Sequence, residues 1–425
     1  MIFRPSRLAY ALAVVAAWAF CLAIALGRVE LFFLAVPLLV PVLRALAPGR
    51  RAVREFHLEP DASQVIEGEE LTLTISARLQ DAPGPVEILP VLPPLVTAST
   101  AWPHAVLAPS AEGRIRWDSR LRCGASGTIE LGVVFFRAWD QAGLWVGAAR
   151  QAQRTIVQVD PRAALVGRLP APRQTAAPFG LHVSRKLGDG TDFADIRPFT
   201  AGDRIKRINW AVSLRARRLH VNQFYTERSG EIILLIDSFV SIGRRPDASL
   251  DHCLRAAASL AMGYLRQHDR VGLMDYGGLV HWTRPASGPA QYARLLESLA
   301  RISISPTEFL QDLTVLPEAM LPWHALIIAL TPLAEECFAT MVGRLAAQGR
   351  DVVLLALRTD ELCERIVPRR MNRELLRRVW LLERGQRLRE LRGCGVRAVD
   401  WSPSQPIETA LLRARRPRGI RGASW

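Results

Sequence analysis

Charged residues of both signs crowd the stretch 190–228, GTDFADIRPFTAGDRIKRINWAVSLRARRLHVNQFYTER. Asp192, Asp195 and Asp203 could gather into a carboxylate cluster suited to acid–base work. Arg197, Arg204, Lys206, Arg207, Arg215, Arg217 and Arg218 stand among them, however. That mixture favours local bidentate arginine–carboxylate pairs over a catalytic cluster. Phe193, Phe199, Ile205, Ile208 and Trp210 are interleaved with the charges, so the segment is not a purely solvated face.

Local chemistry predicts the elements that hold these groups. Pro198 followed by Ala201-Gly202 predicts a turn. Asp203 then occupies an N-cap position, and Ile205, Ile208 and Val212 share one face of a short helix. Trp210 beside that face is expected to bury its indole. Arg207 and Arg217 carry heads long enough to reach a partner. A strand over 219–226 and a Ser229-Gly230 hairpin turn into an apolar strand over 231–237 follow.

The ordered set Gly190, Phe193, Arg197, Phe199, Gly202, Asp203, Lys206 or Arg207, Ile208, Trp210 and Arg217 resembles the signature of the domain-of-unknown-function family 58. The resemblance implies an uncharacterised bacterial membrane protein ending in a von Willebrand factor A-like domain. It also implies a working partnership with a MoxR-type AAA+ ATPase. Arg197, Gly202, Asp203, Arg207, Trp210 and Arg217 are the residues through which the motif would serve partner binding.

The formal charge of +15 would ordinarily point to nucleic acid or an anionic membrane. Lys186 and Lys206 are the only lysines among 55 basic residues, a bias that reads as genome composition. With no zinc-finger spacing, basic zipper or aromatic-interleaved RNA motif, nucleic acid is not expected as a partner. Cys21, Cys123, Cys253, Cys337, Cys363 and Cys394 form no CxxC pair and read as small hydrophobes in a reducing compartment.

Two apolar runs, about 8–27 and 29–47, predict a transmembrane helical hairpin within 1–50. A signal peptide is the competing reading, but no A-x-A cleavage site precedes the second run. Arg4 and Arg7 precede the pair and Arg44, Arg50, Arg51 and Arg54 follow it. The positive-inside rule then puts both termini in the cytoplasm of a protein of the inner (plasma) membrane, with the lipid bilayer as a partner.

Alternation in 71–75 and 128–136, with Pro- and Gly-rich turns between, predicts a β-sandwich over 54–162. Gly68-Glu69-Glu70 resembles an immunoglobulin-like lead-in, and 140–145 partly resembles a D-P-F-G-L-[FW] turn of the family's second domain. A Pro/Ala/Arg-rich connector over 163–189 and the motif at 190–228 lead to 229–416, with a basic tail at 417–425. In 229–416, strands at 231–236, 270–275, 279–284, 325–330, 351–357 and 395–399 alternate with helices near 249–267, 288–301, 334–348, 370–391 and 405–414. The short step at Gly277-Gly278 predicts one antiparallel edge strand. The fold class is therefore multidomain: a transmembrane helical hairpin, an immunoglobulin-like β-sandwich, then an α/β domain similar to von Willebrand factor A.

That A-like resemblance implies a D-x-S-x-S magnesium motif after the first strand, with a Thr and a further Asp from other loops. Asp237 and Ser241 fit it, but Phe239 replaces the middle serine and Thr331-Pro332 stands where the Asp is expected. Asp237 and Ser241 therefore read as hydrogen-bonding groups of a strand-to-helix turn, and neither a metal nor another cofactor is expected. No phosphate loop, G-x-S-x-G elbow or H-E-x-x-H helix occurs, and the eight histidines are scattered. The expectation is a membrane-anchored, non-catalytic interaction or scaffold protein working with a MoxR-type ATPase. A metal-dependent ligand-binding domain and an enzyme of unrecognised mechanism are the alternatives.

Overall fold

The computed structural model describes residues 2–27, 33, 53–79, 84–99, 104–110, 112–139, 143, 145–167, 169–172, 177–277, 281–304, 320–363 and 372–414. At 2–4, 54, 145, 177–194 and 224–229 only the backbone is described. The chain divides into two compact units, Met1–Val159 and Asp160–Trp425.

The first unit opens with β1 (Ile2–Pro5) and α1 (Arg7–Leu26). Ser6 caps α1 by accepting from the Ala9 amide, and Gly27 ends it in the left-handed region at φ 61°. Its 20 residues span about 30 Å, enough to cross a bilayer's hydrocarbon. Small residues at seven-residue spacing, Ala9, Ala16 and Ala23, are its buried face, while Tyr10, Val14, Trp18 and Ile24 point outward. A helix whose large apolar groups face outward is suited to a membrane. The expected second span, 29–47, lies outside the described residues apart from position 33, as does most of the 140–145 turn.

The rest of this unit is antiparallel β-structure: β2 (Val53–Pro60), β3 (Gln64–Ile66), β4 (Glu70–Leu79), β5 (Val86–Pro90), β6 (Val96–Ala98), β7 (Ala105–Leu107), β8 (Arg114–Cys123), β9 (Gly127–Trp139) and β10 (Trp145–Asp160). One sheet runs β2-β4-β8-β6 and another β1-β10-β9-β5-β7, with β3 also on β10. Period-two alternation in β4 turns Leu71, Leu73, Ile75 and Ala77 inward, where they share one core with Ile88, Val134, Phe136 and Val157 of the other sheet. Each fully buried aliphatic side chain contributes about 1.5–3 kcal/mol to that core.

In the second unit, the residues before 172 are not a free connector. Val166 and Leu169 belong to the core, and Tyr264 Oη donates to the Pro170 carbonyl at 2.6 Å. The backbone then forms β11 (Ala177–Pro198), a strand where a connector was expected up to residue 189. A 3₁₀ turn (Ile205–Arg207) and α2 (Trp210–Ala216) lead to β12 (His220–Ser229).

Next come β13 (Glu231–Asp237), α3 (Ser249–Arg266), β14 (Arg270–Tyr276), β15 (His281–Ala286), α4 (Pro289–Arg301), β16 (Leu326–Thr331), α5 (Glu336–Ala347), β17 (Asp351–Leu357), α6 (Asp360–Cys363), α7 (Arg373–Gly393), β18 (Arg397–Trp401) and α8 (Ile407–Ala414). The sheet order is β15-β14-β13-β16-β17-β18, parallel except for the antiparallel edge β15. In chain order this is the 3-2-1-4-5-6 arrangement of doubly wound sheets. Wholly buried runs such as β13 and β17 follow from cores on both faces, one built with α3, α4 and α8 and the other with α5 and α7.

The expected hairpin at Ser229-Gly230 does not form. β12 pairs with β11, while β13 has parallel neighbours on both sides. With both edges of β13 occupied by buried strands, β12 has no ladder to join there.

Candidate functional site

The motif residues form an excursion between the paired ends of β11 and β12. It is closed by Phe199 N donating to the Leu219 carbonyl and Asn209 N to the His220 carbonyl, both at 2.8 Å. Thr200 to Asp203 makes a turn in which the Asp203 amide donates to the Thr200 carbonyl at 3.0 Å. Gly202 supplies the φ of 109° that the turn requires and a side chain would resist.

Asp203 does not cap the following helix, contrary to the sequence expectation. Its carboxylate accepts the Thr200 amide at 2.8 Å and both terminal nitrogens of Arg197, one of them at 2.7 Å. The same guanidinium reaches the Pro198 carbonyl and the Thr200 hydroxyl. The Arg197 hydrogen bonds hold the Asp203 carboxyl well below the usual range. The turn itself takes this carboxylate, so the 3₁₀ segment begins at Ile205 with Arg204 at its N-cap position and no side-chain cap. Asn209 is the cap that sequence reasoning missed: its Oδ1 accepts the Val212 amide at 3.1 Å and its Nδ2 donates to Asn222. An asparagine just before Trp210 was the available signal.

Trp210 is not a core residue either. It is 60% exposed, with Leu214 at 79% and Ile205 at 72%. Ser213 is the buried member of α2, accepting the His220 amide at 2.9 Å, so a polar anchor holds the helix rather than an apolar stripe. Trp210, Leu214 and Arg217 recur at i, i+4 and i+7, and Arg217 ends the helix at φ 51°. The motif thus splits in two. Arg197, Gly202 and Asp203 brace the turn, while Trp210 and Arg217 are exposed and Arg207 is half-buried.

A second cluster lies at the carboxyl end of the sheet, at the switch between β13 and β16 where open α/β sheets bind ligands. Asp237 ends β13 and is 1% exposed. Its Oδ2 accepts the Thr331 hydroxyl at 2.5 Å, and its Oδ1 accepts the Phe239 amide at 3.3 Å. Burial pushes its pKa up to about 7 against those two hydrogen bonds, with Glu335 and Asp275 adding repulsion. Ser238 donates to Asp275 of β14, whose other oxygen lies 3.6 Å from His281 Nδ1. Burial raises the Asp275 pKa as well. At Gly277 a Cβ would collide with Ser238, so only glycine lets the β14 terminus approach this loop.

These donors do not fit magnesium. Ser241 Oγ accepts the Leu250 amide, and Phe239 turns its ring edge-on to Tyr276 at 5.3 Å instead of offering oxygen. Among the described residues no group of three His, Cys, Asp or Glu could hold a metal ion. Asp275 and Ser238 were not singled out from sequence, and Thr331 was read only as a missing acidic ligand, because strand order alone brings Thr331 and Asp275 to this loop.

Helix α7 carries a third feature. Its second half buries Arg384, Leu388 and Leu391, but Leu375 is 58% and Leu382 71% exposed, with Leu376 and Val379 exposed between them. Beyond Leu382 lies a groove of about 620 Å³ between α5 and α7, lined by Glu336, Arg344, Glu383 and Arg387.

Three mycobacterial proteins, each described as uncharacterized, are similar to this chain: Mb1516 of Mycobacterium bovis and MT1527 and Rv1480 of Mycobacterium tuberculosis. Each is 26% identical over 144 residues, 33% of this chain and 45% of its own length. The chain therefore matches less than half the length of these curated relatives. A non-cellulosomal cohesin from Archaeoglobus fulgidus covers 25% of this chain and 91% of its own, at 8% identity and a TM-score of 0.18. Macromomycin covers 23% of this chain and 96% of its own, at 16% identity and a TM-score of 0.14; neither likeness carries an argument. Residues 195–353, from the end of β11 into the start of β17, match the family model described as "Protein of unknown function DUF58".

Proposed function

We propose that this chain is a membrane-anchored, non-catalytic interaction or scaffold protein of the bacterial inner membrane. In this reading both termini are cytoplasmic. An immunoglobulin-like sandwich spaces a von Willebrand factor A-like domain, and that domain works with a MoxR-type AAA+ ATPase in complex assembly or maturation. The family resemblance supplies the ATPase, and the strand order of the second unit supports the A-like reading.

One contrast carries the proposal. The polar groups at the sheet's carboxyl end are buried and bonded to one another, whereas large apolar side chains are left outside on α7. A site for chemistry would keep its reactive groups accessible; a docking protein keeps apolar anchors accessible. On α7, Leu375, Val379 and Leu382 at i, i+4 and i+7 form the anchor row expected of a helix that fits a protein groove. The groove beside Glu383 could receive a side chain in return.

Crosslinking of the full chain in native membranes, read at residue level, tests this. The expected result is an AAA+ ATPase joined near 373–383. Recovery of such membranes with no AAA+ ATPase crosslinked to the chain contradicts it.

A further inference from the structure

The exposed half of the motif has a composition that α7 does not share. From Arg204 to Leu219 there are six basic residues, Arg204, Lys206, Arg207, Arg215, Arg217 and Arg218, and no acidic one. Asp203, the acidic group just before them, is taken by Arg197. Ile205, Trp210, Leu214 and Leu219 stand exposed among these cations.

We propose that this lobe is a second membrane contact, resting on anionic lipid headgroups with Trp210 and Leu214 inserted at the interface. Three observations favour a lipid surface over a protein groove. First, the charge is of one sign, and a headgroup layer offers many anions without a fixed register. Second, Trp210 and Leu214 share one face of α2, so one approach seats the ring and the aliphatic chain, while the flexible Arg217 just past the helix end has the length to snorkel to phosphate. Third, the same chain carries α1, a helix apolar and long enough to span a bilayer, so the lobe meets the surface as a tethered group. The Arg197–Asp203 brace and the Asn209 cap already fix the turn and the start of α2, which lowers the ordering cost of contact.

Each basic residue close to an anionic leaflet contributes about 1 kcal/mol, or about fivefold, so three of them amount to about a hundredfold in lobe docking. The test uses the full chain in nanodiscs of pure phosphatidylcholine or of phosphatidylcholine with phosphatidylglycerol. Amide exchange of the peptide 204–219 is followed at low and high salt.

Exchange should slow about tenfold or more in the anionic discs. The slowing should vanish in high salt and in the triple variant Arg215→Glu, Arg217→Glu, Arg218→Glu. Unchanged exchange of β13 and β16 in that variant establishes that the fold is intact. Should it disturb them, Leu214→Ser, which touches no brace residue, must itself lower the protection. Equal exchange in both discs overturns the proposal, as does protection that ignores salt. Protection that arises only when an AAA+ ATPase is added also overturns it and assigns the lobe to a protein.

Discussion

Replacing Asp237 with asparagine should remove a pH dependence from the second unit. In the folded protein the carboxyl has a pKa raised to about 7 from an ordinary value of 3.8, chiefly by burial. Between roughly pH 4 and pH 7 the folded state therefore keeps a proton that the unfolded state has released. Stability then falls as pH rises, by about 1.4 kcal/mol per pH unit, and levels off above the folded pKa. Across about three units the loss is about 4 kcal/mol, fully absent below the unfolded pKa. Asp275, raised in the same direction by burial, adds to the slope. The Asp237→Asn side chain is isosteric and has nothing to titrate; its amide oxygen accepts the Thr331 hydroxyl, and its Nδ2 gives up the longer Phe239 amide bond, a cost that does not vary with pH. Exchange of the β13 and β16 amides, measured from pH 5 to 8 and corrected for intrinsic rates, reads this unit alone. The variant should show a much flatter profile and exceed the wild type at pH 8. Identical slopes in the two proteins would refute the assignment of a protonated Asp237.

Other outcomes follow from the same geometry. Magnesium should leave the melting temperature unchanged, since a ligand stabilises only by binding the native state; a clear rise that Asp237→Ala abolishes would contradict the site as described. Trp210→Ala should change stability by no more than about 0.5 kcal/mol, as exposed positions do, whereas Asp203→Ala should lower the melting temperature visibly by opening the 200–203 turn. Melts of the two variants side by side decide between a brace and a core. On the proposed two-span topology, which rests on the arginine asymmetry of the sequence, a reporter fused after Trp425 should behave as cytoplasmic, and periplasmic phosphatase activity from that fusion would reverse it.

Much of the second unit was legible because its signals are local. Short uninterrupted apolar runs such as 232–236 and 352–357 fit strands buried on both faces, and the longer segments expected as helices between them form α3, α4 and α5. The Gly277 step likewise marked the antiparallel edge. Partnerships were harder. Nothing near Ser229 states that β13 will take parallel neighbours, so a hairpin was the natural but wrong inference.

Side-chain roles failed where one residue type serves two purposes. An aspartate after Gly202 reads as a helix cap, yet Arg197 six residues earlier claims it for the turn. A tryptophan among isoleucines reads as core until the helix proves to be anchored through Ser213. Of the buried cluster, Asp237 was visible as a motif remnant, and Thr331 was noted only as standing where an acidic ligand was expected. Ser238 and Asp275 were not visible, since strand order alone brings Asp275 beside that loop.

The central claim is that this chain docks an AAA+ ATPase through exposed apolar anchors. Titrating a MoxR-type AAA+ ATPase onto the full chain in nanodiscs tests it most directly. Wild type is compared with the double variant Leu375→Asp, Leu382→Asp, whose positions are too exposed for the changes to unfold the helix. Anchor residues of this kind are worth about 1–2 kcal/mol each, so affinity should fall about tenfold or more in the variant. No saturable binding to wild type, or equal affinity for both proteins, would contradict the account.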